Sequence, residues 1–173
     1  MKMERKMNMI QLIFAAPEKW VHIREIARRL RISPNSVRKE AALLRKSGII
    51  EQKREGNMIM YRADMESERY RREKMLSNLR GIFGSGIADF LEEYYNPSAI
   101  VLFGSYSRGE DTSKSDIDIA VIVSSQKRPD LRQFEKKLSR RIELSLFARK
   151  EVSREFFNNI INGIVLKGFL KNE

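Results

Sequence analysis

Ala99-Ile-Val-Leu-Phe-Gly-Ser-Tyr-Ser-Arg-Gly-Glu-Asp-Thr-Ser-Lys-Ser-Asp-Ile-Asp-Ile-Ala-Val-Ile-Val123 is the stretch from which the rest of the chain is read. Its two ends, Ile100 to Phe103 and Ile117 to Val123, are apolar and β-branched and read as buried strands, while the polar segment between them is punctuated by glycine. Gly104-Ser105 follows the first strand directly. A glycine there lets the backbone turn sharply and point its N–H groups at an anion, most simply a phosphate, to which the Ser105 hydroxyl adds a further donor. Asp116 and Asp118 are two residues apart at the start of the second strand. Strand side chains alternate, so both carboxylates leave by one face while Ile117 and Ile119 pack on the other. Two acids on one face call for a cation.

A third acid is in reach. Ile142-Glu-Leu-Ser-Leu-Phe147 is a further alternating run, and pairing beside the second strand would place Glu143 next to the two aspartates. Three hard oxygen donors, completed by water and phosphate oxygens, suit Mg²⁺ rather than zinc. Gly104-Ser105, the ten-residue gap, Asp116-Ile-Asp-Ile119 and the later hydrophobic-Glu-hydrophobic strand together resemble the signature of the DNA polymerase β-like nucleotidyltransferase superfamily. The fuller run from Phe103 to Glu110 with Ser115 to Ile119 is most similar to its small prokaryotic members, the minimal nucleotidyltransferases.

The chain has 173 residues, enough for one larger domain or two small ones. It carries 34 Lys and Arg against 23 Asp and Glu, a net charge of +11, and residues 1–62 hold 15 basic and 6 acidic side chains, +9 of that total. So uneven an excess suggests that the first part meets a polyanion, most simply nucleic acid. Cysteine is absent, which removes disulfides, thiolate metal sites and a cysteine nucleophile. The charged start Met1 to Lys6 lacks a signal-like apolar core, and the apolar tail Ile160 to Leu170 is broken by Asn162, Gly163, Lys167 and Gly168. A cytoplasmic protein without membrane association is expected.

Residues 1–63 carry a second pattern. Met9, Ile10, Leu12, Ile13 and Phe14 give a helix ending near Pro17, and Ile23, Ile26, Ala27 and Leu30 give another. Ser33-Pro34 opens a third, with serine as cap and proline in the first turn, and Val37, Ala41 and Leu44 recur along it until Gly48. Two short strands follow around Glu55-Gly56-Asn57. The segment resembles a winged helix-turn-helix domain. That resemblance implies binding to double-stranded DNA, with Asn35, Ser36, Arg38 and Lys39 offered by the recognition helix and Lys53, Arg54 and Asn57 by the wing.

Residues 64–80 read as a charged connecting helix with one packed edge, and 81–173 as the transferase domain. Gly81, Gly84 and Gly86 follow no strand and complete neither dinucleotide nor P-loop spacing, so they are expected to break the connector from the helix Ile87 to Tyr95. Strand, turn, strand, a helix around Leu131 to Arg140, the Glu143 strand and a final helix from Ser153 predict an α/β (α+β) fold with a mixed sheet flanked by helices. Phe156, Phe157, Ile160 and Ile161 are expected in the core. Trp20 reads as core or staple, and His22 as structural or DNA-facing.

The nucleotidyltransferase resemblance implies that Asp116, Asp118 and Glu143 bind two Mg²⁺ ions and catalyse, while Gly104, Ser105 and Arg108 bind the nucleotide. The implied reaction moves a nucleoside monophosphate from ATP or another NTP to an acceptor. The resemblance also implies one acceptor, since small relatives often act with a separate helical HEPN-type partner as toxin–antitoxin pairs, the transferase adding AMP to that partner. Few residues follow the third acidic strand, so the acceptor surface is expected to be borrowed. The other functional class is a DNA-binding transcription regulator whose transferase domain senses nucleotide or serves as a scaffold. Whether the chain forms a homodimer is left open.

Overall fold

The computed structural model describes residues 7–124, 127–148 and 154–170, the side chains of 154–157 excepted. The expectations for Met1 to Lys6, for a helix start at Ser153 and for Phe156 and Phe157 as core residues lie outside that description. Two compact units divide between Lys74 and Met75.

The N-terminal unit runs α1 (Met9–Ala15), β1 (Val21–His22), α2 (Ile23–Leu30), α3 (Pro34–Lys46), β2 (Ile50–Glu55) and β3 (Met58–Ala63). Its helix ends are written in polar side chains. Asn8 and Gln11 exchange backbone and side-chain hydrogen bonds at α1, and the Ser33 hydroxyl accepts from the Ser36 N–H at α3, where Pro34 occupies the first turn. His22 takes the structural role among the two expected for it: its Nδ1 accepts from the Arg24 N–H and caps α2. Met9, Ile13, Ile26, Val37, Ala41, Tyr61, Ala63 and Tyr70 form the buried core.

Two features depart from expectation. Val21–His22 adds a third strand, giving the antiparallel order β1-β3-β2. Trp20 is not in the core. It lies half-buried with Lys53 Nζ 4.9 Å and Arg62 Cζ 4.5 Å from its ring, because a ring bearing an N–H beside two strand cations gains more at the surface than among aliphatic groups.

Helix α4 (Glu68–Ser85) begins in the first unit and ends in the second. It does not break at Gly81 or Gly84. Both glycines stay helical, a Cβ on Gly81 would find ordinary contact with Leu138 at 3.5 Å, and the chain turns only at Gly86, where φ is +81°. The low helix propensity of two glycines, about 1 kcal/mol each, is offset by packing of residues such as buried Ile82.

The C-terminal unit continues with α5 (Ile87–Tyr95), β4 (Ala99–Phe103), α6 (Gly104–Arg108), β5 (Ile117–Ile122), α7 (Arg132–Leu138), β6 (Ile142–Phe147), α8 (Arg154–Ile161) and β7 (Ile164–Gly168). The sheet has the order β6-β5-β4-β7, with β5 antiparallel to β4 and parallel to β6, so it is mixed as expected. One face packs Ile100, Leu102, Ile117, Ile119, Ile142 and Leu144 with Ile82, Leu91 and Phe134 from the helices. The opposite face, near its middle, packs Ala99, Val101, Ala120 and Ile122 with Ile160.

Strand β7 replaces the continuing helix read from the tail. Asn162-Gly163 ends α8, with the Gly163 N–H donating to the Ile160 carbonyl, and the following residues complete the hydrogen bonding of β4. Ile161 is not core. It is 44% exposed, since a helix lying on a sheet buries one stripe and Ile160 occupies it.

Candidate active site

The three carboxylates stand at the starts of β5 and β6. Asp118 is opposite Phe103 on β4 and opposite Glu143 on β6, so Phe103, Asp118 and Glu143 form one row across three strands. Asp116 immediately precedes β5. The intervening Ile117, and Ile119, Ile142 and Leu144, are buried on the other face, which fixes the direction of the acids. Burial raises the Asp118 carboxyl above its ordinary range, and the neighbouring Asp116 and Glu143 charges raise it further, while Arg108 opposes them. Glu143 is half-exposed, with Oε2 3.7 Å from Nη2 of Arg141. Among the described residues, no three His, Cys, Asp or Glu side chains are gathered tightly enough to hold a metal ion as they stand.

The turn after β4 is fitted to this row. Gly104 has φ +71°, and a Cβ placed on it would overlap Asp118 Oδ2, so this backbone lies directly against the central carboxylate. Only glycine satisfies both the left-handed conformation and that approach. Ser105 is half-buried in the first turn of α6, and the Ser107 hydroxyl donates to the Gly104 carbonyl at 2.8 Å. Arg108 is exposed and donates through Nε to Glu110 Oε2 at 2.8 Å. Gly104 thus touches Asp118, and Asp116, Glu143 and Arg108 surround it closely enough to act on its charge. Of these groups, the carboxylates of Asp116, Asp118 and Glu143 are hard oxygen donors, the kind of ligand that suits Mg²⁺.

Sequence reasoning missed a buried polar cluster beneath the turn. Asp111 is fully buried. It accepts a 2.7 Å hydrogen bond from Asn78 Nδ2 on α4 and lies 3.6 Å from Arg140 Nη2. Asn78 Nδ2 also donates to the Tyr106 carbonyl at 2.8 Å, and Arg140 Nη1 donates to the Thr112 carbonyl at 2.5 Å. Burial, with Asp111 adding and Arg140 opposing, pushes the Tyr106 hydroxyl up to about 12. Glu110-Asp111-Thr112 is indistinguishable in sequence from a solvated loop, and Asn78 and Arg140 belong to no motif, so no signal could have selected them.

In the N-terminal unit, Asn35, Ser36, Arg38 and Lys39 are exposed on the first turns of α3. Arg38 Nη1 donates to Asn35 Oδ1 at 3.0 Å, and Ser36 Oγ lies 2.9 Å from Ser33 Oγ. On the hairpin, Arg54 and Asn57 are exposed, whereas Lys53 pairs with Glu55 at 2.6 Å. Seven side chains of suitable type therefore lie on the helix and hairpin on which they were expected.

Residues 85–168 match the family described as polymerase beta, nucleotidyltransferase. Two proteins of Methanocaldococcus jannaschii, both named provisionally as protein adenylyltransferases, are similar over a shorter span. One is 43% identical over 44 residues, 25% of this chain and 44% of its own length; the other is 48% identical over 44 residues, 25% and 43% respectively. The chain thus matches less than half the length of either relative. No helix of the described residues is long and apolar enough to cross a membrane. With the row of acids and the glycine turn inside the matched region, these similarities support a nucleotidyl transfer function for residues 85–168.

Proposed function

We propose that this chain is a Mg²⁺-dependent nucleotidyltransferase that moves AMP from ATP to a partner protein, and that its N-terminal unit is a winged helix that binds duplex DNA. The observation that carries the transferase reading is the fit of Gly104 against Asp118 within the row shared with Glu143. Crowded carboxylates repel one another, and a divalent cation relieves that repulsion. Asp116, Asp118 and Glu143 would hold the Mg²⁺, which when bound stabilises the charge on entering and leaving oxygens.

The remaining work falls to the chain itself. The turn at Gly104 and the Ser105 hydroxyl hold the triphosphate, and Arg108, released from Glu110, neutralises part of its charge. Glu143 takes the proton of the acceptor hydroxyl. The acceptor oxygen then bonds to the α-phosphorus, the bond from that phosphorus to the β-phosphate bridge breaks, and pyrophosphate leaves. A protein acceptor is supported by the names of the two archaeal relatives, and a helical HEPN-type partner by the minimal nucleotidyltransferase resemblance. The DNA reading rests on the helix-helix-helix-hairpin order and on the basic excess of residues 1–62.

The test is transfer of label from α-labelled ATP with Mg²⁺ in extract of the source cell, comparing the natural chain with Asp116→Asn/Asp118→Asn and trying the other nucleoside triphosphates in parallel. Label on a protein, lost in the double variant, is the expected result. Label on RNA would replace the acceptor, and no label at all would sink the transferase reading. One observation favours the regulator alternative: the Arg141–Glu143 ion pair competes with a metal for Glu143. Mg²⁺-dependent ATP binding without turnover would then be seen.

A further inference from the structure

We propose that Asp111 is a positioning residue for the nucleotide site, acting with Asn78 and Arg140 to hold the connection between β4 and β5 in the shape that brings Gly104, Ser105 and Asp116 to the carboxylate row; this rests on the nucleotidyl transfer reading. Asp111 is a fully buried acid, and burying a carboxylate is costly unless neighbours compensate for the lost water. Here the compensation comes from two directions. Asn78 Nδ2 reaches both Asp111 Oδ1, at 2.7 Å, and the Tyr106 carbonyl, at 2.8 Å, which ties the acid to the turn that follows Gly104. Arg140 faces Asp111 at 3.6 Å and donates Nη1 to the carbonyls of Thr112, at 2.5 Å, and Ser115, at 3.4 Å.

The two anchors have different reach. Asn78 fixes the front of the loop, next to Ser105. Arg140 fixes its end, since Ser115 directly precedes Asp116, and Arg140 itself lies three residues before Glu143. The carbonyl of the next residue, Arg141, accepts from the Ile117 N–H at 2.9 Å, so the starts of β5 and β6 are joined at the same place. One buried carboxylate therefore orients two groups whose other hydrogen bonds set where Ser105, Asp116 and Glu143 stand. Removing its charge takes a buried anion away from Arg140, whose side chain is 10% exposed, and so weakens the hold on the two carbonyls that Arg140 binds.

A merely structural role would lower stability and nothing else. The experiment therefore compares, in the full chain, Asp111→Asn and Arg140→Lys with Leu91→Ala, a core substitution in the same unit that also lowers the melting temperature. Binding of ATP with Mg²⁺ is read by calorimetry, label transfer by the assay above, and amide hydrogen exchange over residues 105–116 by mass spectrometry. The expected result is at least tenfold weaker ATP binding and at least tenfold faster exchange of that segment in Asp111→Asn, with both within twofold of the natural chain in Leu91→Ala. Arg140→Lys is expected to act in the same direction and serves alone if Asp111→Asn does not fold. Exchange unchanged in both variants, or losses that Leu91→Ala matches, would overturn the positioning role. A natural chain that neither binds ATP nor transfers label refutes the transferase reading instead, and the exchange comparison still decides whether Asp111 shapes the loop.

Discussion

Gly104 is held by two independent constraints, a positive φ and contact with Asp118. Gly104→Ala is expected to destabilise the C-terminal unit by about 1–3 kcal/mol, read by thermal melting, and to abolish label transfer by displacing Asp118. Asp118 itself carries a signed prediction. Its raised pKa means that it holds a proton more readily in the fold than in the unfolded chain. Its ionisation therefore weakens the fold: the unfavourable contribution is absent below the ordinary carboxylate range and grows as pH rises through it. Without divalent metal, Asp118→Asn is expected to melt above the natural chain at pH 7, a gap that closes toward pH 3. Added Mg²⁺ should raise only the natural chain and reverse the order. The residues of this row were legible because turn, spacing and alternation constrain one another. Asp111 was not, because nothing local separates an acid that points inward from one that points to water.

At the scale of elements, α3 and the β2–β3 hairpin present Arg38 and Arg54 to solvent. Each substitution to alanine should weaken duplex DNA binding and reduce the slope of log affinity against log salt by about one, measured by anisotropy titration over a salt series. Affinity indifferent to both salt and these changes would remove the DNA reading. Gly163 gives a prediction for the other unit. A Cβ there would meet the Leu102 carbonyl at 2.6 Å and Val101 Cγ1 at 2.7 Å, so Gly163→Ala is expected to lower stability by about 1–3 kcal/mol while leaving DNA binding intact. Helices with side-chain caps and strands inside the motif were readable from local pattern. Strands β1 and β7 were not. The first has two residues and the second, Ile-Val-Leu-Lys-Gly, shows no alternation, so each exists as a strand only because a partner offers an edge. The run through Gly81 and Gly84 likewise depends on packing that propensity cannot foresee.

Over the whole molecule, charge and family similarity divide the chain in the same sense. Residues 1–62 hold +9 of the net +11, while the family match covers residues 85–168. The mixed sheet has a further consequence through the place of β7, which closes the open edge of β4 after all three carboxylates have already appeared in the chain. During synthesis, Asp116, Asp118 and Glu143 leave the ribosome before the strand that protects their sheet. Until Gly168 follows, the N–H and C=O groups along the edge of the apolar strand Ala99–Phe103 are bare and able to pair with another chain. A chain stopped after Gly163 should therefore retain every acidic group of the site yet sediment from solution, whereas the natural chain stays dispersed. The strand that shields β4 from its neighbours is thus made after the whole acidic row.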